Sequence, residues 1–243
     1  MRCEHVSSGE SGASVWRLSG SSSPDRYLKL GTGSHAEAIR QEILRTAWLH
    51  SRGANVPAIC RSIVQADFAA MLAAARPGEP LDSGVPPPDL VIEVLARELC
   101  RLHSLPAASC PFDERIPVRL ERAERAIAEG QIDPAQFERR NSKMTAEALF
   151  RRLIAEVPPA EDLVVIHGDA TFANILIDEL GQIGFVDCGH SGRADRYLDL
   201  ALVAAEIEQR YGPEWTPAFY TSYGLSTWDT RKAEFFLDLY EFF

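Results

Sequence analysis

Apolar and polar residues alternate with the period of two that marks β-strands in two stretches near the start of the chain. These are Ser14-Val15-Trp16-Arg17-Leu18 and Arg26-Tyr27-Leu28-Lys29-Leu30, separated by the turn-rich Ser19-Gly20-Ser21-Ser22-Ser23-Pro24-Asp25. Upstream, Ser7-Ser8-Gly9-Glu10-Ser11-Gly12 is small and polar throughout and reads as a loop. From Ser34 the period changes. Ile39, Ile43, Leu44, Ala47 and Leu49 recur at helical intervals, and Ser34 precedes Glu37 by the capping-box spacing. Gly53 and Pro57 close that helix, and residues 58–75 predict two more strands with Asp67 near their turn.

Arg76-Pro77-Gly78-Glu79-Pro80 and then Pro86-Pro87-Pro88 interrupt the pattern, which predicts an N-terminal lobe over residues 1–76 and a C-terminal lobe over 77–243. Val91, Ile92, Val94, Leu95, Leu99 and Leu102 then form a helical stripe, and 115–130 and 143–156 also read as helices. Three short apolar runs follow, Leu163–Ile166, Ile175–Ile177 and Ile183–Val186, the last two joined as a hairpin by Asp178-Glu179-Leu180-Gly181-Gln182. From Tyr197 onward the chain reads as mainly helical. A strand-rich first third with one helix, followed by a helix-rich remainder holding a small hairpin, is an α+β plan in two lobes.

Composition adds little to this picture but removes several function classes. The 243 residues are 46% hydrophobic and 25% charged, with no apolar run near the roughly 20 residues that a membrane helix needs. Met1-Arg2-Cys3-Glu4-His5 has no apolar core like that of a signal peptide, so a cytoplasmic protein is expected. A net charge of −10 disfavours nucleic acid as a partner and favours cationic ligands. Cys3, Cys60, Cys100, Cys110 and Cys188 are scattered, without a Cys-x-x-Cys pair, and read as reduced, mostly buried thiols.

The candidate chemistry lies in Ile166-His167-Gly168-Asp169-Ala170-Thr171-Phe172-Ala173-Asn174 and the Asp187 that ends the later apolar run. Asn174 stands five residues after Asp169, and Asp187 thirteen after Asn174, before Cys188-Gly189. The order resembles that of protein kinases: a catalytic-loop Asp, an Asn five on, a hairpin, then an Asp near Gly. Phosphoryl transfer needs positioning and charge neutralisation more than covalent help. Asp169 is suited to accept the hydroxyl proton, and Asn174 and Asp187 to offer oxygens to the Mg²⁺ that accompanies ATP. Lys29, on its alternating strand, is placed to reach nucleotide phosphates. Glu42 on the next helix is its expected partner, with Glu37 as the rival.

These residues resemble the aminoglycoside phosphotransferases, in particular the 3′-kinases that inactivate kanamycin and neomycin. The likeness is strongest in Val164-Val165-Ile166-His167-Gly168-Asp169, Asn174-Ile175-Leu176-Ile177, Gly184-Phe185-Val186-Asp187-Cys188-Gly189 and Ser191-Gly192-Arg193-Ala194-Asp195-Arg196-Tyr197-Leu198-Asp199-Leu200-Ala201. Arg101-Leu102-His103-Ser104-Leu105, Cys110-Pro111-Phe112 and the closing Glu241-Phe242-Phe243 match as well. The resemblance implies a two-lobed, protein-kinase-like fold and an ATP- and Mg²⁺-dependent kinase, monomeric or weakly dimeric, acting on a small aminoglycoside. It makes Asp169 the catalytic base, Asn174 and Asp187 the metal ligands, and Lys29 with Glu42 the phosphate-positioning pair. It sets Ser11 over the phosphates and the backbone near Ala74–Arg76 against adenine. Asp133, Glu138, Glu206, Glu241 and the Phe243 carboxylate would read the polycation, while Asp195 and Asp199 would brace the catalytic loop.

Three features depart from the family pattern. His190 follows Gly189 where arginine is usual. Arg139 and Arg140 follow Glu138 where acids are common, and they would disfavour a polycation unless they point away. The chain begins close to the nucleotide loop, so an abbreviated first strand is expected. A streptomycin 3″-kinase or another small-molecule kinase is the alternative acceptor class, and a nucleotide-binding pseudokinase the alternative of a different kind.

Overall fold

The computed structural model describes residues 2–6, 13–20, 23–84 and 86–243. Along the chain run β1 (Arg2–Val6), β2 (Ser14–Gly20), β3 (Ser23–Thr32), α1 (Ser34–Ser51), β4 (Ile59–Val64), β5 (Phe68–Ala74) and β6 (Glu79–Pro80). They are followed by α2 (Pro88–His103), α3 (Ile116–Ala128), α4 (Ala146–Ala155), β7 (Leu163–Ile166), β8 (Ile175–Ile177), β9 (Ile183–Phe185) and β10 (Gly192–Asp195), then α5 (Tyr197–Tyr211), α6 (Thr216–Tyr223) and α7 (Thr230–Tyr240). The chain divides into two compact units. One comprises Met1–Pro87 with Phe172–Ser191, and the other Pro88–Thr171 with Gly192–Phe243.

The first unit is built on an antiparallel sheet in the order β1-β2-β3-β5-β4. Lys29 lies on its central strand, opposite Val15 of β2 and Met71 of β5, so apolar neighbours on both sides hold its stem. Helix α1 packs on the sheet through Ala36 and Ile39 against Ala69 and Met71, with Ile43 and Ile59 alongside. Its first turn differs from the expected capping box. The cap is Gly33, at φ 57°, and Ser34 is already helical, so no side chain caps this end. Glu37 instead accepts from Arg40 and Gln41 on its own helix. β1 is paired with β2 over all five residues, from Arg2 opposite Ser19 to Val6 opposite Val15. Its residues are mostly exposed, so it carries no alternation from which it could be read.

The hairpin β8–β9 belongs to this unit, with Ile175 opposite Phe185 and Ile177 opposite Ile183. β6 adds a third strand, Glu79 opposite Ile177. Gly78 makes that approach possible, because a Cβ there would sit 2.6 Å from the Ile177 carbonyl group. The Phe185 N–H donates to the Asn55 carbonyl at 2.9 Å, which ties the hairpin to the segment after α1. The chain therefore stays with the first unit through Pro87, eleven residues beyond the expected boundary at residue 76, and Phe172–Ser191 returns to it.

The second unit is helical around the short sheet of β7 and β10. Its core joins Ile116 and Ala123 of α3, Leu149 and Leu153 of α4, Leu198 and Ala201 of α5, and Phe235, Phe236 and Leu239 of α7 around Val164 and Ile166. Burying side chains of this size is worth about 1.5–3 kcal/mol each. The result is a rigid seat for β7, which leads directly into His167. Strand-rich and helix-rich units together are the α+β class expected from the sequence. No disulfide joins the five cysteines; Cys3, Cys60 and Cys100 are exposed and only Cys110 and Cys188 are buried. This corrects the expectation of mostly buried thiols: the exposed three sit on the outer faces of β1, β4 and α2. Among the described residues, no helix is long and apolar enough to cross a membrane.

Candidate active site

In the first unit a cation is held between two carboxylates. Lys29 Nζ lies 2.7 Å from Glu42 Oε2 and 3.0 Å from Asp187 Oδ1. Lys29 and Glu42 are buried, whereas the Asp187 side chain is 44% exposed. That asymmetry matters, because the open carboxylate is the one able to meet a ligand. Burial works against the Lys29 ammonium, but the charges of Glu42 and Asp187 more than offset it and hold its pKa above the ordinary lysine range. Burial, with the Asp187 charge adding to it, pushes the Glu42 carboxyl up to about 7. Glu37, the rival partner, is exposed and engaged on α1.

Asp187 is the one non-glycine residue with positive φ among those described, at φ 57° and ψ 57°. A carboxylate held in this sparsely populated region marks a site where surrounding structure over-determines the backbone. The Val186 N–H donates to the Asn174 carbonyl at 3.0 Å, so the open end of the hairpin brings Asn174 and Asp187 to one place. The Asn174 backbone and the Asp187 carboxylate, which already pairs with Lys29, thus share one corner of the first unit. No cluster of three or more His, Cys, Asp or Glu suited to a metal exists among the described residues. Mg²⁺ needs none, since it is commonly held by one or two protein oxygens together with phosphates and water, so this donor set fits it.

Helix α1 contributes a second buried cation, Arg45, which donates to the Ser191 carbonyl and anchors the segment just past His190. At the end of β5 the Ala74 and Ala75 N–H groups already donate to the Ala58 and Asp25 carbonyls, each at 2.9 Å. The Arg76 side chain donates to Asn55 Oδ1, and its Nε lies close to Gly184. Ser11 lies outside the described residues.

In the second unit His167-Gly168-Asp169 follows β7. Gly168 has φ 86°, the left-handed conformation that turns the chain sharply there. Asp199, on the first turn of α5 and fully buried, fixes that turn. It accepts from the His167 N–H at 2.6 Å, the Gly168 N–H at 2.8 Å and His103 Nε2 at 3.1 Å. Burial opposes its charge, yet these donors, His103 first among them, hold the carboxyl below the ordinary range. Tyr223 lies 2.7 Å from His103 Nδ1, and buried Arg119 donates to the Gly168 carbonyl at 3.3 Å. Asp195 braces a different place: it accepts from the Asp162 and Tyr197 N–H groups and pairs with Lys232.

Asp169 itself is half-buried and accepts a hydrogen bond from the hydroxyl of Tyr240, the last residue of α7. The sequence does not pair Tyr240 with Asp169. The only signal for it was its place immediately before Glu241-Phe242-Phe243. Burial, then the Asp169 charge, holds the Tyr240 phenol well above its usual range, with Glu206 adding and Arg119 opposing. Glu206 and Arg119 therefore belong to the same electrostatic neighbourhood. Arg119 also lies over the Phe243 ring, 4.7 Å from its centroid.

The other expected acceptor residues are partly committed within the protein. Both oxygens of Glu241 accept, from the Glu138 N–H at 3.0 Å and Asn141 Nδ2 at 2.8 Å. Asp133 accepts from the Ala135 N–H and caps a short turn. Arg140 pairs with buried Asp238 at 2.8 Å, where Arg152 and Asn141 also converge. The second cation is therefore internally neutralised, while Arg139 is exposed.

Residues 2–236 match the model of the phosphotransferase enzyme family. The chain is 33% identical over 244 residues to an aminoglycoside 3′-phosphotransferase of Escherichia coli, covering 97% of this chain and 88% of that protein. The crystal structure of an aminoglycoside-3′-phosphotransferase of type VIII is similar with a TM-score of 0.89 at 32% identity, over 99% of this chain and 94% of that one. The structure of aminoglycoside phosphotransferase APH(3″)-Id from Streptomyces rimosus, in complex with ADP and streptomycin, is similar with a TM-score of 0.83 at 27% identity, over 97% and 94%. The kinase-like α+β fold expected from the sequence follows from these likenesses.

Proposed function

The chain belongs to the phosphotransferase enzyme family, and from that premise we propose that it is an aminoglycoside 3′-phosphotransferase. It transfers the γ-phosphate of ATP to a hydroxyl of a kanamycin- or neomycin-type antibiotic and thereby confers resistance. The observation that carries the phosphoryl-transfer reading is the buried Lys29 held between Glu42 and the more open Asp187. A lysine fixed in this way meets nucleotide phosphates as a positioned charge. Asn174 and Asp187 hold Mg²⁺, which supplies charge neutralisation at the phosphates. The backbone from Ala74 to Arg76 faces adenine; with the Ala74 and Ala75 N–H groups already donated, recognition there falls to carbonyl oxygens and the Arg76 N–H.

Asp169 orients the acceptor hydroxyl and takes its proton as the oxygen attacks phosphorus in line with the departing ADP oxygen. Asp133, Glu138, Glu206, Glu241 and the Phe243 carboxylate read the polycation, and the bonds that Asp133 and Glu241 make within the protein hold those two in place. A cytoplasmic location and a monomer or weak dimer complete the proposal. Streptomycin is the second acceptor, favoured by the likeness to the streptomycin-bound relative.

The test is Mg·ATP-dependent phosphorylation of kanamycin, neomycin and streptomycin by the purified protein and by Asp169→Ala, together with resistance in a susceptible bacterium. Phosphorylation of kanamycin or neomycin that falls by about 10²–10⁴-fold in the variant supports the proposal. Turnover of streptomycin alone moves the acceptor assignment. ATP binding without transfer to any acceptor, the pseudokinase outcome, rejects it.

A further inference from the structure

Tyr240 makes a contact that the activity as proposed does not use. It ends α7, whose inner face (Ala233, Phe236 and Leu239) is anchored in the core of the second unit. The phenol is thus carried on a packed helix and not on a loop. From there it donates to Asp169 Oδ1. Burial, reinforced by the neighbouring carboxylate, keeps the phenol protonated, so towards Asp169 it acts only as a donor. The groups facing it are Asp169 and Glu206, which favour the neutral phenol, and Arg119, which opposes them.

We infer that Tyr240 is a positioning residue for the general base: its hydroxyl, donated to Asp169 Oδ1, sets the plane of the carboxylate that receives the acceptor proton. The inference rests on Asp169 being that base. Proton acceptance requires one lone pair of the carboxylate to be aimed at the acceptor oxygen, and a hydrogen bond to Oδ1 restricts how that carboxylate can turn. Asp199 fixes the backbone of the turn through the His167 and Gly168 N–H groups, and the phenol bears on the side chain. Because the donor is neutral, it orients the carboxylate without cancelling the charge that makes it a base. The device also ties the base to the C-terminal helix, one residue before Glu241, so acceptor recognition and base alignment share an element.

The alternative role for the same contact is a stand-in, in which the phenol occupies the acceptor hydroxyl's place and must leave for substrate to bind. Steady-state kinetics with kanamycin and Mg·ATP separate the two. Tyr240→Phe keeps the ring and its packing and removes only the hydroxyl. The expected result is a kcat lower by about 10–100-fold, with both KM values and the melting temperature little changed. In an Asp169→Asn background the same substitution should cause no further loss, since a residue acting through the carboxylate has nothing left to act on. An unchanged kcat overturns the inference. So does a change confined to the kanamycin KM, in either direction, or an equal loss in both backgrounds. If Asp169→Asn itself retains full turnover, the base assignment fails and the inference fails with it, a result distinct from failure of Tyr240→Phe alone.

Discussion

The His167-Gly168-Asp169 turn depends on a single buried carboxylate, which makes Asp199→Asn an informative change. The substitution conserves shape and removes charge. Three donors converge on Asp199, two of them on Oδ2 and the Gly168 N–H on Oδ1. An asparagine offers one acceptor oxygen. Its best orientation keeps that oxygen facing the His167 N–H and His103, and turns its NH₂ towards the Gly168 N–H. One buried donor is then unpaired, at about 1–3 kcal/mol, and two charge-assisted bonds become neutral, at about 1 kcal/mol each. The sum is about 3–5 kcal/mol. For a chain of this size that lowers the melting temperature by about 10 °C. Displacement of the turn carrying Asp169 should lower kcat by about 10²-fold at temperatures where the variant remains folded. Circular dichroism melts and kanamycin phosphorylation measure both effects. The pH dependence has a definite sign. The folded pKa of Asp199 is depressed, so its stabilisation is complete above the unfolded value of about 3.9 and is lost as pH falls through the folded value. The deficit of the variant should therefore be full at neutral pH and narrow below about pH 4. A melting temperature within about 2 °C of the parent, with kcat within about threefold, would refute the reasoning.

Lys29→Met removes the ammonium between Glu42 and Asp187 and leaves two carboxylates facing each other. The KM for Mg·ATP should rise by about tenfold or more while the kanamycin KM stays constant, and parallel rises in both would count against a nucleotide-side role. Arg140→Ala removes a cation already paired with Asp238. It should cost about 1 kcal/mol in urea unfolding and leave the kanamycin KM within about threefold. A large fall in that KM would mean that Arg140 faces the drug.

Lys29 was legible because strand alternation survives in a strand paired on both sides, with Val15 and Met71 flanking it. The hairpin was legible because Ile175–Ile177 and Ile183–Phe185 are apolar and short and a turn separates them. β1 and β10 were not, since one is mostly exposed and the other is Gly192-Arg193-Ala194-Asp195, with no periodic signal. Ser34 had the spacing of a cap but lies one residue too late, because Gly33 alone tolerates the φ of 57° that starts the helix. The prolines at 77, 80 and 86–88 interrupt the local pattern, but which side the intervening segment joins depends on pairing of β6 with β8, a long-range contact that local composition does not carry. Tyr240 shows the same limit at the site. An aromatic residue on an amphipathic helix reads as core, and only the folded chain brings its hydroxyl to Asp169.

The acidic balance gains a different meaning from these contacts. Read as a sum, a net charge of −10 suggests a surface made for cations. Residue by residue, much of the negative charge near the acceptor elements is spent inside the protein. Asp238 holds Arg140, Arg152 and Asn141, Glu241 holds the Glu138 backbone and Asn141, and Asp199 holds the His167-Gly168-Asp169 turn. A carboxylate already accepting two hydrogen bonds from the protein gives up part of its capacity to attract a ligand ammonium. Selectivity for a polycation then depends on how rigidly a few carboxylates are presented, and the committed acids supply that rigidity. Arg140 therefore does not contradict a cationic substrate. Arg140 is one of the groups that lock Asp238, and with it Asn141, Glu241 and the backbone of Glu138, into a single arrangement.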